Sequence, residues 1–436
     1  MAKLRTLSIL LSLLVPVHSI RSPDCGGILT PLGLSYFAEV SKPHAEAVLR
    51  QDLMAPTAPD LLVGPTKPSR PQVSSVKVIE LSLSLVPDSG LRLSVDVDLG
   101  ITPAPSGIKV MRLSIRADLH VEMNPEGNLE VVTSACKPTV EEAQSTEEVE
   151  SKSSSAELDK EINVDKVRER HFPSLSPPLP EHPSALFAAQ FPFTPSCQLQ
   201  YLPLAAPVFS EQGITISLQT TFQVAGMAIP LPVSPVPFNL PELASSSPAH
   251  LTLAFSEHFF TSLFFALEMA GAFNMTILSP LTTATLAPKI TQMSSLFPED
   301  LPVVLQAVFR SSTRVVLEEG KAALKLFLTV HVGAGTPAFQ SFLSVNVDMS
   351  AGLLLSVANT RMIISAPDAL LEELFLPTIR TEVPAQINVV LSEGVVLPHI
   401  SSFTYTDINV MIHKDYVLVP CNLRLQARTA AQTTVG

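Results

Sequence analysis

The sequence predicts an α+β fold in two halves, each a meander of long antiparallel strands covered by one main helix. Three observations predict it. Between Val76 and Met123, apolar and polar residues alternate with period two through successive runs. Between His250 and Ile277 the apolar residues instead fall at helical spacing. Between them lies a stiff connector with six prolines from Pro230 to Pro248. The expected boundaries are a leader at 1–19, an N-terminal half at 20–229, a connector at 230–249 and a C-terminal half at 250–436.

The totals support this reading. A chain of 436 residues exceeds one ordinary core, so two or more domains are the default. Hydrophobic residues make up 46% and aromatics only 6%, without tryptophan, so the apolar mass is aliphatic. The run Leu7–Val17 is too short to span a bilayer and follows Lys3 and Arg5. It reads as a secretory leader cut near Ser19. Cleavage removes two of the 28 basic residues and none of the 40 acidic ones, taking the net charge from −12 to −14. Secretion makes Cys25, Cys136, Cys197 and Cys421 disulfide candidates, with three full pairings open. Asn274-Met275-Thr276 is a glycosylation acceptor pattern.

In chain order, Leu32, Leu34, Phe37, Ala38 and Val40 form one short helical stripe. Ser41 and Pro43 restart a second piece with Ala45, Val48, Leu49 and Leu53 as its apolar face. Val76–Leu85 alternates with one slip near Ile79, a candidate bulge. After Pro87-Asp88-Ser89-Gly90, Leu91–Ile101 alternates, and Met111–Met123 does so again. Asn124-Pro125-Glu126-Gly127 is a further turn, and Leu129–Thr133 starts another strand. Residues 138–190 are acidic, Ser-rich and then proline-rich, and read as a disordered loop.

Order returns at Cys197, with alternation at Ile214–Val224. In the second helix Phe255, Phe259, Phe260, Leu263, Phe264 and Leu267 form a wide stripe, with Ser256 able to cap its start and Gly271 its end. This stripe fits packing on a sheet or lining for an apolar ligand, and the residues alone do not separate the two. A short helix is expected at Ala287–Phe297. Strands follow at Val304–Phe309, Ala322–Val332, Phe342–Met349 and Leu353–Ile364. Leu370–Leu391 reads as helix broken at Pro377 and Pro384, before strands at Phe403–Met411 and Tyr416–Leu425. The shared element order makes an internal duplication plausible.

Several landmarks together resemble the bactericidal/permeability-increasing (BPI) and lipopolysaccharide-binding (LBP) family, in particular its long PLUNC branch, BPI fold-containing family B. They are Gly33-Leu34-Ser35-Tyr36, the Val76–Leu99 hairpin, Cys136, Tyr201 with Ala206-Pro207, and Ala270-Gly271. Pro237-Phe238 before Leu253–Phe260 and Gly394–Pro398 before the terminal strands complete the set. The stretches CGGILTPLGLSYFAEVSKPHAE, VSPVPFNLPELAS and HKDYVLVPC are similar to egg-white ovoglobulins of that branch. The resemblance implies a boomerang-shaped BPI fold, with two barrel-like domains joined by a central β-sheet. It also implies an apolar pocket for lipid tails in each barrel. The lining would then be Leu34, Phe37, Val40 and Val48 in the first helix, and the six-residue stripe in the second. Two departures stand out. The family's cysteine partner for the position of Cys136 has no counterpart in Val167–Gln190, and Arg361–Leu370 is shorter than the family pattern.

The chemistry of the side chains points to binding, not catalysis. There is no GxSxG elbow, no HExxH and no phosphate-cradling loop with a lysine, so no enzyme, cofactor or metal is expected. A charge of −14 repels nucleic acid and argues against gripping lipid A phosphates through a cationic tip. An acyl chain needs no such charge. Burying each methylene contributes roughly 0.8 kcal/mol, so a sixteen-carbon tail gains on the order of 10 kcal/mol before ordering costs. The expected role is a secreted phospholipid or fatty-acid binder of innate defence, in egg white or mucosal fluid, with bacterial envelope lipid as a further ligand. The alternative is a structural or surface-active secreted glycoprotein without cargo.

Overall fold

The computed structural model describes residues 22–54, 72–104, 107–124, 129–142, 190–229, 238–241, 248–335, 338–366, 376–399 and 402–426. The leader at 1–19, the connection at 56–71 and most of the expected loop at 138–190 lie outside these residues. So do most of the proline connector and residues 370–375.

Three antiparallel sheets carry the fold. The N-terminal sheet is β2 (Gln72–Val86), β3 (Gly90–Ala104), β4 (Gly107–Met123) and β5 (Leu129–Glu142), in sequence order. The C-terminal sheet runs in order through β12 (Met275–Thr282), β13 (Pro302–Glu318), β14 (Lys321–Ala334), β15 (Gln340–Ala358), β16 (Arg361–Ser365) and β17 (Val395–Val396). Between them stands a central ten-stranded sheet. Its path is β18 (Phe403–Thr406), β20 (Tyr416–Leu425), β11 (Leu251–Ser256), β1 (Cys25–Leu29), β9 (Gly213–Val224), β7 (Cys197–Pro203) and β6 (Gln190–Thr194). The short strands β8 (Val208–Ser210), β10 (Met227–Ala228) and β19 (Met411–His413) pair on its flanks.

The central sheet is built on a pseudo-two-fold. β1 and β11 pair with Gly27 opposite Leu253, and the ladder is symmetric about that pair: Cys25 faces Phe255 and Leu29 faces Leu251. β9 flanks β1 with Leu218 opposite Cys25, and β20 flanks β11 with Cys421 opposite Leu251. Each half's first long hairpin then docks its turn on that sheet. Asp88 N–H donates to the Phe209 carbonyl at 3.1 Å, and Gly320 N–H donates to the Ile412 carbonyl at 2.9 Å. The expected duplication is therefore legible in hydrogen bonds more than in residue identity.

Two helices cover the long sheets. α1 (Pro31–Leu53) is capped by Thr30, whose hydroxyl accepts the Gly33 N–H at 3.2 Å. It is one continuous helix and not two pieces. Pro43 sits inside it on the exposed side, so the Glu39 carbonyl that loses its N–H partner belongs to an exposed residue. The buried stripe Ala38, Ala45, Leu49 and Leu53 packs on Val76, Val78, Val95, Val97 and Ile115 of the N-terminal sheet. α2 (Glu257–Met269) starts at the expected cap. The Ser256 hydroxyl accepts the Phe259 N–H at 3.2 Å, and Gly271 leaves the helix at φ +71°.

Other expectations shift. Phe255 belongs to strand β11, not to the helix, because the whole Leu251–Ser256 run is sandwiched between β1 and β20. The strand β5 persists to Glu142 and β6 begins at Gln190, so the loop expected at 138–190 is shorter at both ends. In place of a helix at Ala287–Phe297 there are two single turns, α3 (Thr283–Leu286) and α4 (Met293–Leu296), the first closed by a Thr282–Thr285 capping box. The stretches at 342–349 and 353–364 are one strand, β15, up to a turn at Asn359 with φ +55°. Pro384 lies within α5 (Leu376–Leu391), with no break there. Asp407, at φ +49°, splits the strand expected at Phe403–Met411.

Candidate functional site

Directly opposed residues of an antiparallel pair share a face, so register assigns the inner ranks of each sheet. In the N-terminal sheet, Val78, Val97 and Leu113 form one rank and Leu81, Val95 and Ile115 the next. All six are buried. Towards the turn at 87–90 the face opens. Leu85, Leu91 and Leu119 form a rank in which every side chain is only half-buried, and Val121 beside it faces Val131, which is 38% exposed. Leu34 of α1 backs this end, packed with Phe209 and Ile214 of the central sheet. The result is an apolar, incompletely closed nest where the N-terminal sheet meets the central one.

The other α1 residues expected in a pocket divide. Phe37 is buried against Phe403, with ring centroids 4.7 Å apart, and belongs to the main core. Val40 is half-buried against that core, and Val48 is half-buried on the same flank two turns on. The helix is held to β2 at the far end from the nest. Glu46 accepts the Val78 N–H at 3.2 Å, and Arg50 donates to the Val76 carbonyl at 3.3 Å.

The second helix behaves differently. Phe255, Phe259, Phe260, Leu263, Phe264 and Leu267 each show 0% exposure. They leave no surface for even a water to touch, so here the stripe is core and not an open lining. Their rings interlock: Phe255 lies 4.9 Å from Phe259, and Phe259 lies 5.2 Å edge-on to Phe260. The polar side of α2 is occupied too. Glu257 accepts the Leu317 N–H at 2.8 Å and Thr261 accepts the Val315 N–H at 3.1 Å. Four helical residues rise about 6 Å and two strand residues about 7 Å, so the side chains match the strand's spacing. Burial raises the Glu268 carboxyl above its usual range, against a pull from the Thr313 backbone.

The C-terminal half does open, but at its other end. Val330 and Val332 are 1% exposed, while their inner-face partners Val345 and Leu343 on β15 are 41% and 38% exposed. Along β15, strand β16 reaches only Leu354–Ala358, so among the described residues Gln340–Leu353 has a strand on one side only.

The cysteines correct an expectation. Cys25, Cys197 and Cys421 are buried thiols of the central sheet and are not bridged. Register places Cys25 two strands and four residues from Cys421, about 17 Å, far beyond the roughly 7 Å a disulfide tolerates. Cys197 lies six residues off Cys25 along β9. Burial pushes the Cys197 thiol up to about 11 and Cys421 up to about 12, which keeps both unreactive. Cys136 stands on β5 opposite Ala117, half-buried on the inner face. Asn274 is exposed just after α2.

The histidines have structural partners. His120 pairs with Glu122 at 2.9 Å, His331 with Ser344 at 2.8 Å and His413 with Glu319 at 3.0 Å. Among the described residues, no three His, Cys, Asp or Glu side chains converge as a metal site needs, and no helix is long and apolar enough to cross a membrane.

Comparison with known proteins agrees with this architecture. Residues 196–367 match the profile of the LBP / BPI / CETP family, C-terminal domain. The chain is 60% identical to Protein TENP of Gallus gallus, over 97% of this chain and 99% of that one. It is 24% identical to BPI fold-containing family B member 2 of Homo sapiens, over 98% of this chain and all of the other. Among solved structures, that of lipopolysaccharide binding protein superposes with a TM-score of 0.56 at 15% identity, covering 93% of this chain, and so shares the fold. Two helix-covered antiparallel halves on a pseudo-symmetric central sheet carry the BPI fold, and the chain belongs to the LBP/BPI/CETP family, in its BPI fold-containing family B branch.

Proposed function

We propose that the chain is a secreted carrier of phospholipid or fatty acid that holds the acyl part at the nest of the N-terminal half. One observation carries this reading: the rank Leu85, Leu91 and Leu119 is half-open, while the two ranks deeper in the sheet are buried. Leu34 would back the chain, with Phe37 behind it and Val40 and Val48 along the helix flank. The α2 stripe from Phe259 to Leu267, with Phe255 of β11, would serve the C-terminal half as a rigid floor, any tail there entering past Leu343 and Val345. The leader-like run at Leu7–Val17 supports export, and exposed Asn274 would carry the glycan.

Charge favours a neutral or zwitterionic lipid over a phosphate-rich one. On the outer face of the N-terminal sheet, Arg92 pairs with Asp118 at 2.8 Å and Arg112 with Asp98 at 2.9 Å. These guanidinium groups are already answered by carboxylates. Innate defence in egg white or mucosal fluid would then work by withdrawing lipid, bacterial envelope lipid included.

The test is uptake. Delipidated protein mixed with phosphatidylcholine vesicles should bind lipid, read by native mass spectrometry, and Leu91→Glu should abolish it while keeping the unfolding transition. Wild-type protein that takes up no lipid, or a variant that takes up as much, would overturn the assignment. Loss of a glycan mass in Asn274→Gln checks the modification.

A further inference from the structure

The two ends of the β1–β11 ladder carry matching devices made from different side chains. Asp24 stands just before β1. Its Oδ1 accepts the Thr220 N–H at 2.9 Å and the Thr220 hydroxyl at 3.1 Å, and its carbonyl accepts the N–H of Ser256, the cap of α2, at 2.8 Å. His250 stands just before β11. Its Nδ1 accepts the Leu423 N–H at 3.1 Å, and its carbonyl accepts the N–H of Thr30, the cap of α1, at 3.0 Å. Thr220 and Leu423 hold matched places, two residues past Leu218 and Cys421. Each residue therefore ties its own half's outer strand to the helix cap of the other half.

The two side chains titrate in opposite senses. Asp24 is 2% exposed, and among the described residues its Oδ2 has no hydrogen-bond partner. Among the described residues, the titratable groups facing it are the Cys25 thiol beside it and the Tyr201 phenol on β7, neither of them cationic. Burial pushes the Asp24 carboxyl up to about 7, against the pull of the Thr220 bonds. His250 is stacked on Tyr36 of α1 at 4.7 Å, and among the described residues the one charge acting on it is Asp407, itself held by the Asn422 amide at 3.0 Å. Burial lowers the His250 pKa, against the opposing pull of the Leu423 contact and Asp407. An Nδ1 that accepts an N–H carries no proton, and protonating it sets two donors face to face.

We propose that Asp24 and His250 are opposed pH latches on the central sheet: the His250 end opens in acid, and the Asp24 end opens as the pH rises. The signs follow from linkage. A carboxyl raised from 3.8 to about 7 stabilises the closed state fully below about pH 4 and loses that contribution as pH climbs to about 7. A histidine lowered from 6.5 contributes fully above that value and loses its contribution as pH falls. Between these limits the two slopes oppose each other, so the intact sheet changes less with pH than either latch alone.

Amide hydrogen exchange reads each latch separately, with intrinsic rates corrected, in the purified wild-type chain and in Asp24→Asn and His250→Asn. Both asparagines keep an acceptor where the native one stands. Protection of Thr220 should fall about a hundredfold from pH 5 to pH 8 in wild type and His250→Asn, and stay level in Asp24→Asn. Protection of Leu423 should fall from pH 8 to pH 5 in wild type and Asp24→Asn, and stay level in His250→Asn. A trend that survives substitution at its own latch would overturn the proposal. If a variant does not fold, wild type alone decides: opposed trends at the two amides support the latches, and parallel or absent trends overturn them.

Discussion

The two halves repeat one plan and close it at opposite ends. Leu85, Leu91 and Leu119 lie next to the turn that docks on the central sheet, and all are half-buried. Their counterparts Leu317, Ala322 and Leu353 stand in the same relation to the other docking turn and are only 1%, 6% and 4% exposed. At the far ends the order reverses: Val76, Leu99 and Met111 are shut, while Leu343 and Val345 are open. The helices account for the docked ends. α2 clamps β13 at Val315 and Leu317, beside the docking turn, whereas α1 clamps β2 at Val76 and Val78, away from it. Where the helix anchors, the sheet closes. An opening in this fold is thus set by the level of a few side chain–backbone bonds more than by how greasy the helix is.

The sharpest way to break that comparison is to cut matched apolar side chains. Phe264→Ala removes a ring with no exposed surface and should cost about 3–5 kcal/mol in denaturant unfolding. Leu91→Ala, at the half-open rank, should cost about 1 kcal/mol, because part of its surface already meets water. Equal losses would mean that the N-terminal nest is packed as tightly as the α2 core, and the proposed lipid site would go with it.

A smaller effect separates the helices themselves. Pro43 interrupts the hydrogen-bond ladder of α1, and α2 has no such interruption. Pro43→Ala restores a donor to the Glu39 carbonyl, at some cost in unfolded-state entropy. The net should be a stabilisation of about 2 kcal/mol, read as a raised unfolding midpoint. A destabilised variant would show that the proline shapes α1 to its sheet and is not a tolerated interruption.

Much of this plan is legible in the sequence, for identifiable reasons. The long strands of the N-terminal sheet alternate because one face is wet. The α2 boundaries are readable because Ser256 and Gly271 are the residue types that caps demand. β1 escapes because Gly26 and Gly27 carry no apolar signal. Their smallness is a packing requirement, since a Cβ at Gly26 would collide with the Ile216 carbonyl. β11 merges into the helical reading because a strand buried on both faces shows no alternation. The helix faces at Leu34 and Phe259 are readable from spacing, but which rank stays open is not. That depends on cross-strand register and on the level at which Glu46 and Glu257 reach their strands, and neither leaves a local trace.

The smallest predicted difference lies in the caps, where the symmetry is closest. The Ser256 hydroxyl accepts the Phe259 N–H, and the Thr30 hydroxyl accepts the Gly33 N–H, both at 3.2 Å. Thr30 also donates to the Ala249 carbonyl at 2.7 Å, so it joins the halves as well as capping α1. Ser256→Ala should therefore cost about 1 kcal/mol, the ordinary worth of a cap, and Thr30→Ala about 2 kcal/mol, because a buried acceptor is orphaned with it. The two substitutions lie at opposite ends of one ladder, Ser256 bonded to the Asp24 carbonyl and Thr30 to the His250 carbonyl. Combined, they should exceed the sum of the singles if the central sheet opens as one unit. Strict additivity in the double variant would mean that each half holds its own end, and the pseudo-two-fold would then be a matter of geometry without energetic coupling.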